Sequence, residues 1–147
     1  MKLTAVLLIY GVTTASWYVS EGVGKPWYDK VESCTSTVPR QRLLFPVVWT
    51  MLYIFVALDL IQRSSQRQPD TLLLLWCLWL LLSVIWCRLF FAEQKPSDRA
   101  TVLSMALLFM VSLALLFYGN VAHVIWLVLW CTYAFWMQIV IFTECDF

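Results

Sequence analysis

The chain has 147 residues, of which 62% are apolar and only 13% charged, and its formal net charge is +1. Soluble domains are roughly 45–50% apolar and 25% charged, so this composition indicates a membrane protein. The length allows one compact helical bundle without a separate soluble domain, and the near-zero net charge gives no indication of nucleic-acid binding.

The first apolar run, residues 3–19, is short and follows Lys2, with small residues after its core. These features also describe a secretory signal peptide that is cleaved after Ala15. We predict a first transmembrane helix here and retain the signal peptide as the alternative.

The next segment, residues 20–42, is the longest polar stretch and contains glycine, proline and charges of both signs. Loops of this length are usually functional or disordered. Trp27 and Tyr28 in its middle indicate that part of the loop packs against something. The loop is therefore either a lid over the bundle, with these two residues as its apolar plug, or an aromatic anchor at the membrane interface.

Four further apolar runs, residues 43–61, 71–92, 100–118 and 121–142, are separated by short polar connections. Each is close to the roughly 20 residues that a helix needs to cross a bilayer. The third predicted span carries polar and aromatic residues on one face at heptad-like spacing. These residues are Trp76, Trp79, Ser83, Trp86 and Phe90.

The fifth predicted span has no formal charge and carries a stripe of side chains at steps of three and four, which places them along one side of a helix. The stripe consists of His123, Trp126, Trp130, Tyr133 and Met137. Because lipid offers no partner for an indole or an amide, we expect this face to contact other helices or a ligand. Gln138 supports this view, since an amide in an apolar span is costly unless paired.

We therefore predict an all-α membrane protein that forms a single bundle of five transmembrane helices with a long first loop. The lysines and arginines are distributed unequally between the two ends of this bundle. One end carries Lys2, Arg63 and Arg67, and the other carries Lys25, Lys30, Arg40, Arg42, Lys95 and Arg99, with Arg88 nearby. The positive-inside rule then places the first loop and the C-terminus in the cytoplasm.

The third predicted span resembles a motif of the translocator protein family, also called tryptophan-rich sensory or peripheral benzodiazepine receptor proteins. Residues 82–92 are similar to its Leu-Asn-x-x-Trp-x-x-Leu-Phe-Phe-Gly, with Ser83 for the asparagine and Ala92 for the glycine. Residues 45–53, which include Trp49 and Tyr53, resemble the family's Phe-x-Pro-Val-Trp-x-x-Leu-Tyr, although the proline is displaced by one position.

The fifth predicted span resembles the family's Trp-x-x-Phe/Tyr-Ala-x-x-Leu-Asn, and Trp27-Tyr28 resembles the pair that opens its first loop. The matching positions in the span are Trp130, Tyr133, Ala134, Met137 and Gln138. Because the family retains its first helix, the resemblance favours five spans over a signal peptide. Three further features depart from the family. The proline-rich run of the loop is missing, and Trp126 and Leu127 stand where the family has proline and tyrosine. No lysine or arginine follows Tyr133 to complete the weak cholesterol-recognition pattern.

On the family's pattern, Trp49, Trp86 and Trp130 project into one cavity beneath the first loop. Indoles suit a flat apolar ligand, and Ser83 and Gln138 would supply the few orienting hydrogen bonds. The alternative is that tryptophans fill helix interfaces or membrane belts, which we favour for Trp17, Trp27 and Trp126. The predicted ligand-binding residues are Trp49, Tyr53, Ser83, Trp86, Phe90, Trp130, Ala134, Met137 and Gln138.

Three classes of function follow from the resemblance. The first is a non-enzymatic binding protein for tetrapyrroles, sterol-like lipids or benzodiazepine-receptor-type ligands, acting in their transport or sensing. The second is light- or oxidant-dependent breakdown of a bound porphyrin, and the third is a structural or regulatory membrane protein that has lost ligand binding. We expect no required cofactor, with porphyrin or haem as a ligand, and membrane lipid, a hydrophobic small molecule and a second copy of the chain as partners. The membrane would be mitochondrial outer or another intracellular one in a eukaryote or virus, and the plasma membrane in a bacterium.

His123 is the only histidine, and its place at the start of the fifth span favours an interfacial side chain over a haem ligand. One histidine with peripheral carboxylates assembles no nucleophile–base pair, so we predict no catalytic and no metal-binding residues. The five cysteines are an odd number without metal-type spacing, and we expect no disulfide framework. Cys34 and Cys145 are interpreted as free thiols or palmitoylation sites.

Overall fold

A computed structural model of the chain is helical wherever it has regular secondary structure and contains no strand among the residues it describes. Those residues are 29–31, 33–35, 47–48, 51–52, 54–56, 58, 70–118 and 121–145. The predicted first span and the proposed lid residues Trp27 and Tyr28 lie outside this set, as do Trp49 and Tyr53.

We number the helices among the described residues α1 to α5 in chain order. Helix α1 comprises the helical residues 29–31 and 33–34 of the first loop, and α2 comprises those at 47–48, 51–52, 54–56 and 58. The three long helices are α3 (Asp70–Cys87), α4 (Arg99–Tyr118) and α5 (Val121–Glu144). The described residues of α2 thus lie within the second predicted span and α3 to α5 overlap the third to fifth, whereas the described residues of α1 lie within the first loop.

Helices α3, α4 and α5 are each long and apolar enough to cross a membrane. Their outward faces carry large apolar side chains, such as Leu74, Leu103, Met110 and Phe117, that are exposed on the bundle surface. Lipid is the solvent that suits such a surface, and a helix satisfies its own backbone groups there. The chain is therefore an integral membrane protein, and the last three predicted spans are confirmed as helices.

The interior of the bundle lies between α3, α4 and α5, with α4 packed against both of the others. The predicted face of α3 is buried throughout, from Trp76 to Phe90. Trp79 Nε1–H donates a hydrogen bond to Ser112 Oγ on α4 at 3.0 Å, and that oxygen lies 3.3 Å from Cys131 Sγ on α5. These three polar groups are thus paired within the apolar layer, as membrane interiors require.

A π-helical turn, Arg88–Ala92, ends the third span in place of the regular α-helix that its pattern predicts. The Glu93 N–H bonds to Arg88 O at 2.9 Å, and the Lys95 N–H bonds to Leu89 O at 3.1 Å around Gln94, whose φ is 52°. This wider turn allows the adjacent side chains of Phe90 and Phe91 both to be buried. π turns of this kind are frequent at functional sites.

A disulfide joins Cys34, at the end of α1, to Cys145, just beyond α5, with 5.6 Å between the two Cα atoms. The expectation of no disulfide is therefore wrong for this pair, and neither cysteine is a free thiol or an acylation site while the bond is intact. The spacing gave no indication because 111 residues separate the partners, and only the fold brings them together. Cys77, Cys87 and Cys131 form no disulfide with the described residues.

Candidate functional site

A buried aromatic group that we call the Trp86 cluster, comprising Trp86, Phe90 and Phe91, occupies the loop end of the bundle interior. Trp86 stacks on Phe90 with 4.9 Å between ring centroids and meets Phe91 edge-on at 5.9 Å. Phe90 and Phe91 are themselves 4.9 Å apart and nearly perpendicular. Such geometries are favourable for aromatic rings, so the cluster is a rigid apolar unit.

Gln138 on α5 is completely buried and connects three parts of the bundle. Its Oε1 accepts a hydrogen bond from Trp86 Nε1–H at 3.0 Å, and its Nε2 donates to the backbone carbonyl of Pro96 in the α3–α4 connection. Of the two alternatives that the sequence left open for this amide, other helices or a ligand, the structure shows contacts with other parts of the protein. The amide thereby holds the Trp86 indole in one orientation.

Ser83, one turn before Trp86, donates to the carbonyl of Leu80 at 2.8 Å within its own helix. Hydroxyls in helices commonly make this bond to the preceding turn. Both polar residues expected to orient a ligand thus already have partners within the protein. Their contact with a ligand stays a prediction.

An apolar cleft lies between α2 and α5, with a volume of about 430 Å³, and we call it the α2–α5 cleft. Trp130 forms its buried wall, while Met51, Trp126 and Leu129 are each more than half exposed and form its rim. The cleft is thus open towards the outside of the bundle, and its volume falls within the roughly 300–1,000 Å³ typical of small-molecule sites. Its lining residues are Val48, Met51, Leu52, Phe55, Trp126, Leu129 and Trp130.

Aromatic rings continue along α5 on both sides of the cleft. Trp130 lies 5.5 Å from Tyr133, measured between ring centroids, and the half-buried His123 stacks on Phe55 of α2 at 6.1 Å. The stripe predicted on α5 is therefore partly buried: Trp130 and Met137 face inward, whereas Trp126 lies at the rim of the cleft. The position of His123 against α2 gives it a structural role in addition to its place near the helix start.

The predicted site residues fall into two groups. Trp86, Phe90 and Gln138 meet at the loop end of the interior, with the buried Ala134 and Met137 on the same helix as the amide, while Trp130 lines the cleft. Of the residues that line the cleft, the sequence analysis predicted only Trp130 as ligand-binding. It assigned Trp126 to a membrane belt and missed the others, which are Val48, Met51, Leu52, Phe55 and Leu129. The spacing of Val48, Met51, Leu52 and Phe55 at helical steps is a signal that could have indicated the α2 wall.

These observations define a class of protein: a helical membrane protein of several spans, with an apolar cleft walled by tryptophan. The sequence profile of the TspO/MBR family matches residues 4–146, and the chain belongs to that family. The resemblance to translocator proteins is thereby confirmed. The chain is also similar to Protein CrtK of Rhodobacter capsulatus, with 24% identity over 147 residues, which cover 95% of this chain and 88% of CrtK. No solved structure matches the chain.

Proposed function

We propose that this protein binds flat hydrophobic molecules of porphyrin or sterol-like shape within the membrane, in the α2–α5 cleft, and serves in their transport or sensing. The observation that carries the proposal is the tryptophan-walled apolar cleft of about 430 Å³. The proposal is also supported by membership of the TspO/MBR family, which suggests ligand binding or sensing in a membrane.

The chemistry of the lining determines what such a site selects. No charged side chain is among the described residues that line the cleft, so in this proposal the site discriminates by shape and apolar area rather than by ionic pairing. Burying apolar area is worth about 25 cal/mol per Å², and an indole adds about 0.5–1.5 kcal/mol when it stacks on another ring. The exposed rim residues allow a ligand to enter from the surrounding lipid.

Residues in the bundle interior hold α5, which forms one wall of the cleft. The Gln138 amide and the Trp86 cluster fix α5 against α3, and α5 carries Trp126, Leu129 and Trp130 of the cleft wall. In this proposal the ligand binds against a helix, α5, that these contacts hold in a fixed position. The other predicted ligand-binding residues that the structure describes are buried in the interior and are not among the residues that line the cleft; they are Ser83, Phe90, Ala134 and Met137.

The decisive experiment fills the cleft without touching the interior. Leu129→Trp adds a bulky ring at the rim, and we expect it to weaken protoporphyrin binding at least tenfold, measured by the absorbance shift of the porphyrin with protein in nanodiscs. Leu103→Trp is the matched control, because Leu103 is similarly exposed on α4 but lies outside the cleft lining. Equal affinities of the two variants would refute the location of the site.

A further inference from the structure

We infer that the end of the bundle carrying α1 and Cys145 faces an oxidising compartment, where the Cys34–Cys145 disulfide forms in the mature protein. The inference concerns the orientation of the chain and the covalent state of its first loop. It does not rest on ligand binding, because neither cysteine lines the α2–α5 cleft.

The two cysteines are held together by the fold itself. Their Cα atoms are 5.6 Å apart, within the roughly 4.4–6.8 Å that a disulfide requires. Cys145 is buried, and its backbone N–H bonds to Ile141 O at 3.0 Å, which continues the helical pattern of α5. The C-terminal cysteine is thus presented at a defined position.

Non-covalent contacts reinforce the same arrangement. Thr35 Oγ1 donates to Glu144 Oε2 at 2.5 Å, beside the disulfide, and Ser97 Oγ of the α3–α4 connection donates to the Cys145 carbonyl at 2.7 Å. Val31 of α1 is buried in the hydrophobic core. Because residues on both sides of Cys34 contact the bundle, oxidation of the two thiols requires no rearrangement of the backbone.

The chemical step is a two-electron oxidation. The Cys34 and Cys145 thiols lose two protons and two electrons and form one S–S bond, while a disulfide oxidant, such as oxidised glutathione or a thiol oxidoreductase, is reduced to two thiols. In compartments with a reducing glutathione pool, protein thiols stay reduced, so a structural disulfide indicates the opposite side of the membrane.

This orientation is the reverse of the one that the charges predict, because Lys30, Lys95 and Arg99 lie at the same end of the bundle as the disulfide. The positive-inside rule is a bias of insertion, in which the first helix usually dominates but does not always do so. A disulfide depends on the compartment in which the folded end finally lies. We therefore give the disulfide more weight than the charge distribution.

The test uses the full chain in its native membrane, with thiols trapped by acid and N-ethylmaleimide at lysis. We expect peptide mapping to find the Cys34–Cys145 cross-link in most molecules. In sealed vesicles of known sidedness, an impermeant maleimide reagent should label the half-buried Cys34 only after reduction, and only from the oxidising side. Cys34→Ser should leave the buried Cys145 as a thiol that N-ethylmaleimide labels in denatured protein without reduction, whereas Cys77→Ser, the control, should leave the cross-link unchanged.

Two results would overturn the inference. One is acid-trapped protein in which Cys34 and Cys145 are both free thiols. The other is labelling that occurs only from the cytoplasmic side, because that result places both cysteines in the cytoplasm and not in an oxidising compartment. Porphyrin affinity measured on the same preparation reports independently on the cleft.

Discussion

The hydrogen bond between Trp86 and Gln138 is the contact whose removal best tests the interior of the bundle. Gln138→Leu keeps the size of the side chain but removes the acceptor of the Trp86 Nε1–H and the donor to the Pro96 carbonyl. Trp86→Phe removes only the indole N–H and part of the ring. The two variants and their combination form a double-mutant cycle that isolates the shared bond.

The expected magnitude follows from what a buried bond contributes in a membrane. A polar group left unsatisfied in a soluble protein costs about 1–3 kcal/mol. Hydrogen bonds between membrane helices average about 0.6 kcal/mol and reach about 1.7, because the unfolded chain in the bilayer finds other partners. Gln138 is completely buried and makes two bonds, so we expect Gln138→Leu to lose about 1–3 kcal/mol and the coupling with Trp86 to be about 1 kcal/mol.

The measurement is reversible unfolding of the purified protein in mixed micelles by a denaturing detergent. The exposed Leu74→Ala variant is the control, because that side chain faces outward from α3. A coupling below about 0.3 kcal/mol, which is within the usual additivity of independent sites, would refute the role given to Gln138 as the link between α3 and α5.

Three further predictions concern other parts of the molecule. Trp79→Phe should lower the unfolding free energy by about 0.5–1.7 kcal/mol, and adding Ser112→Ala should cost less than the sum of the single changes, since both variants remove the same bond; additive losses would contradict this. Trp130→Ala should weaken porphyrin affinity, measured by equilibrium titration, at least tenfold, and Trp126→Ala should weaken it less. The reason is that Trp130 forms the buried wall of the cleft, whereas Trp126 lies at its exposed rim. The reverse order would show that the ligand lies outside the cleft. Cys34→Ser should lower the free energy of unfolding in denaturing detergent as much as a reductant lowers that of the unmodified protein. The loss should be less than the roughly 5 kcal/mol expected for a 100-residue loop in water, because inserted helices already restrict the unfolded chain. A reductant effect that persists in the variant would point to another disulfide.

Features that depend on short-range physics could be predicted from the sequence. Length and hydropathy are properties of single segments, so the last three spans were predicted within a few residues. The heptad-like spacing on α3 likewise predicted the face that is buried, because the helix repeat places such residues on one side. Family membership could also be predicted, since motifs in three of the predicted spans and in the first loop follow the family's order.

Contacts between distant segments depend on the tertiary structure and could not be predicted from the sequence. Gln138 was expected to be paired, but its partner Trp86 is 52 residues away, and nothing in either span identifies the other. The π turn that buries Phe91 beside Phe90 departs from the repeat on which the sequence prediction relied. The α2–α5 cleft exists only where two helices fail to fill the space between them, which depends on how they pack. The Cys34–Cys145 disulfide was missed for the same reason: it requires that the first loop reach the end of α5, and the spacing of five cysteines does not encode that approach.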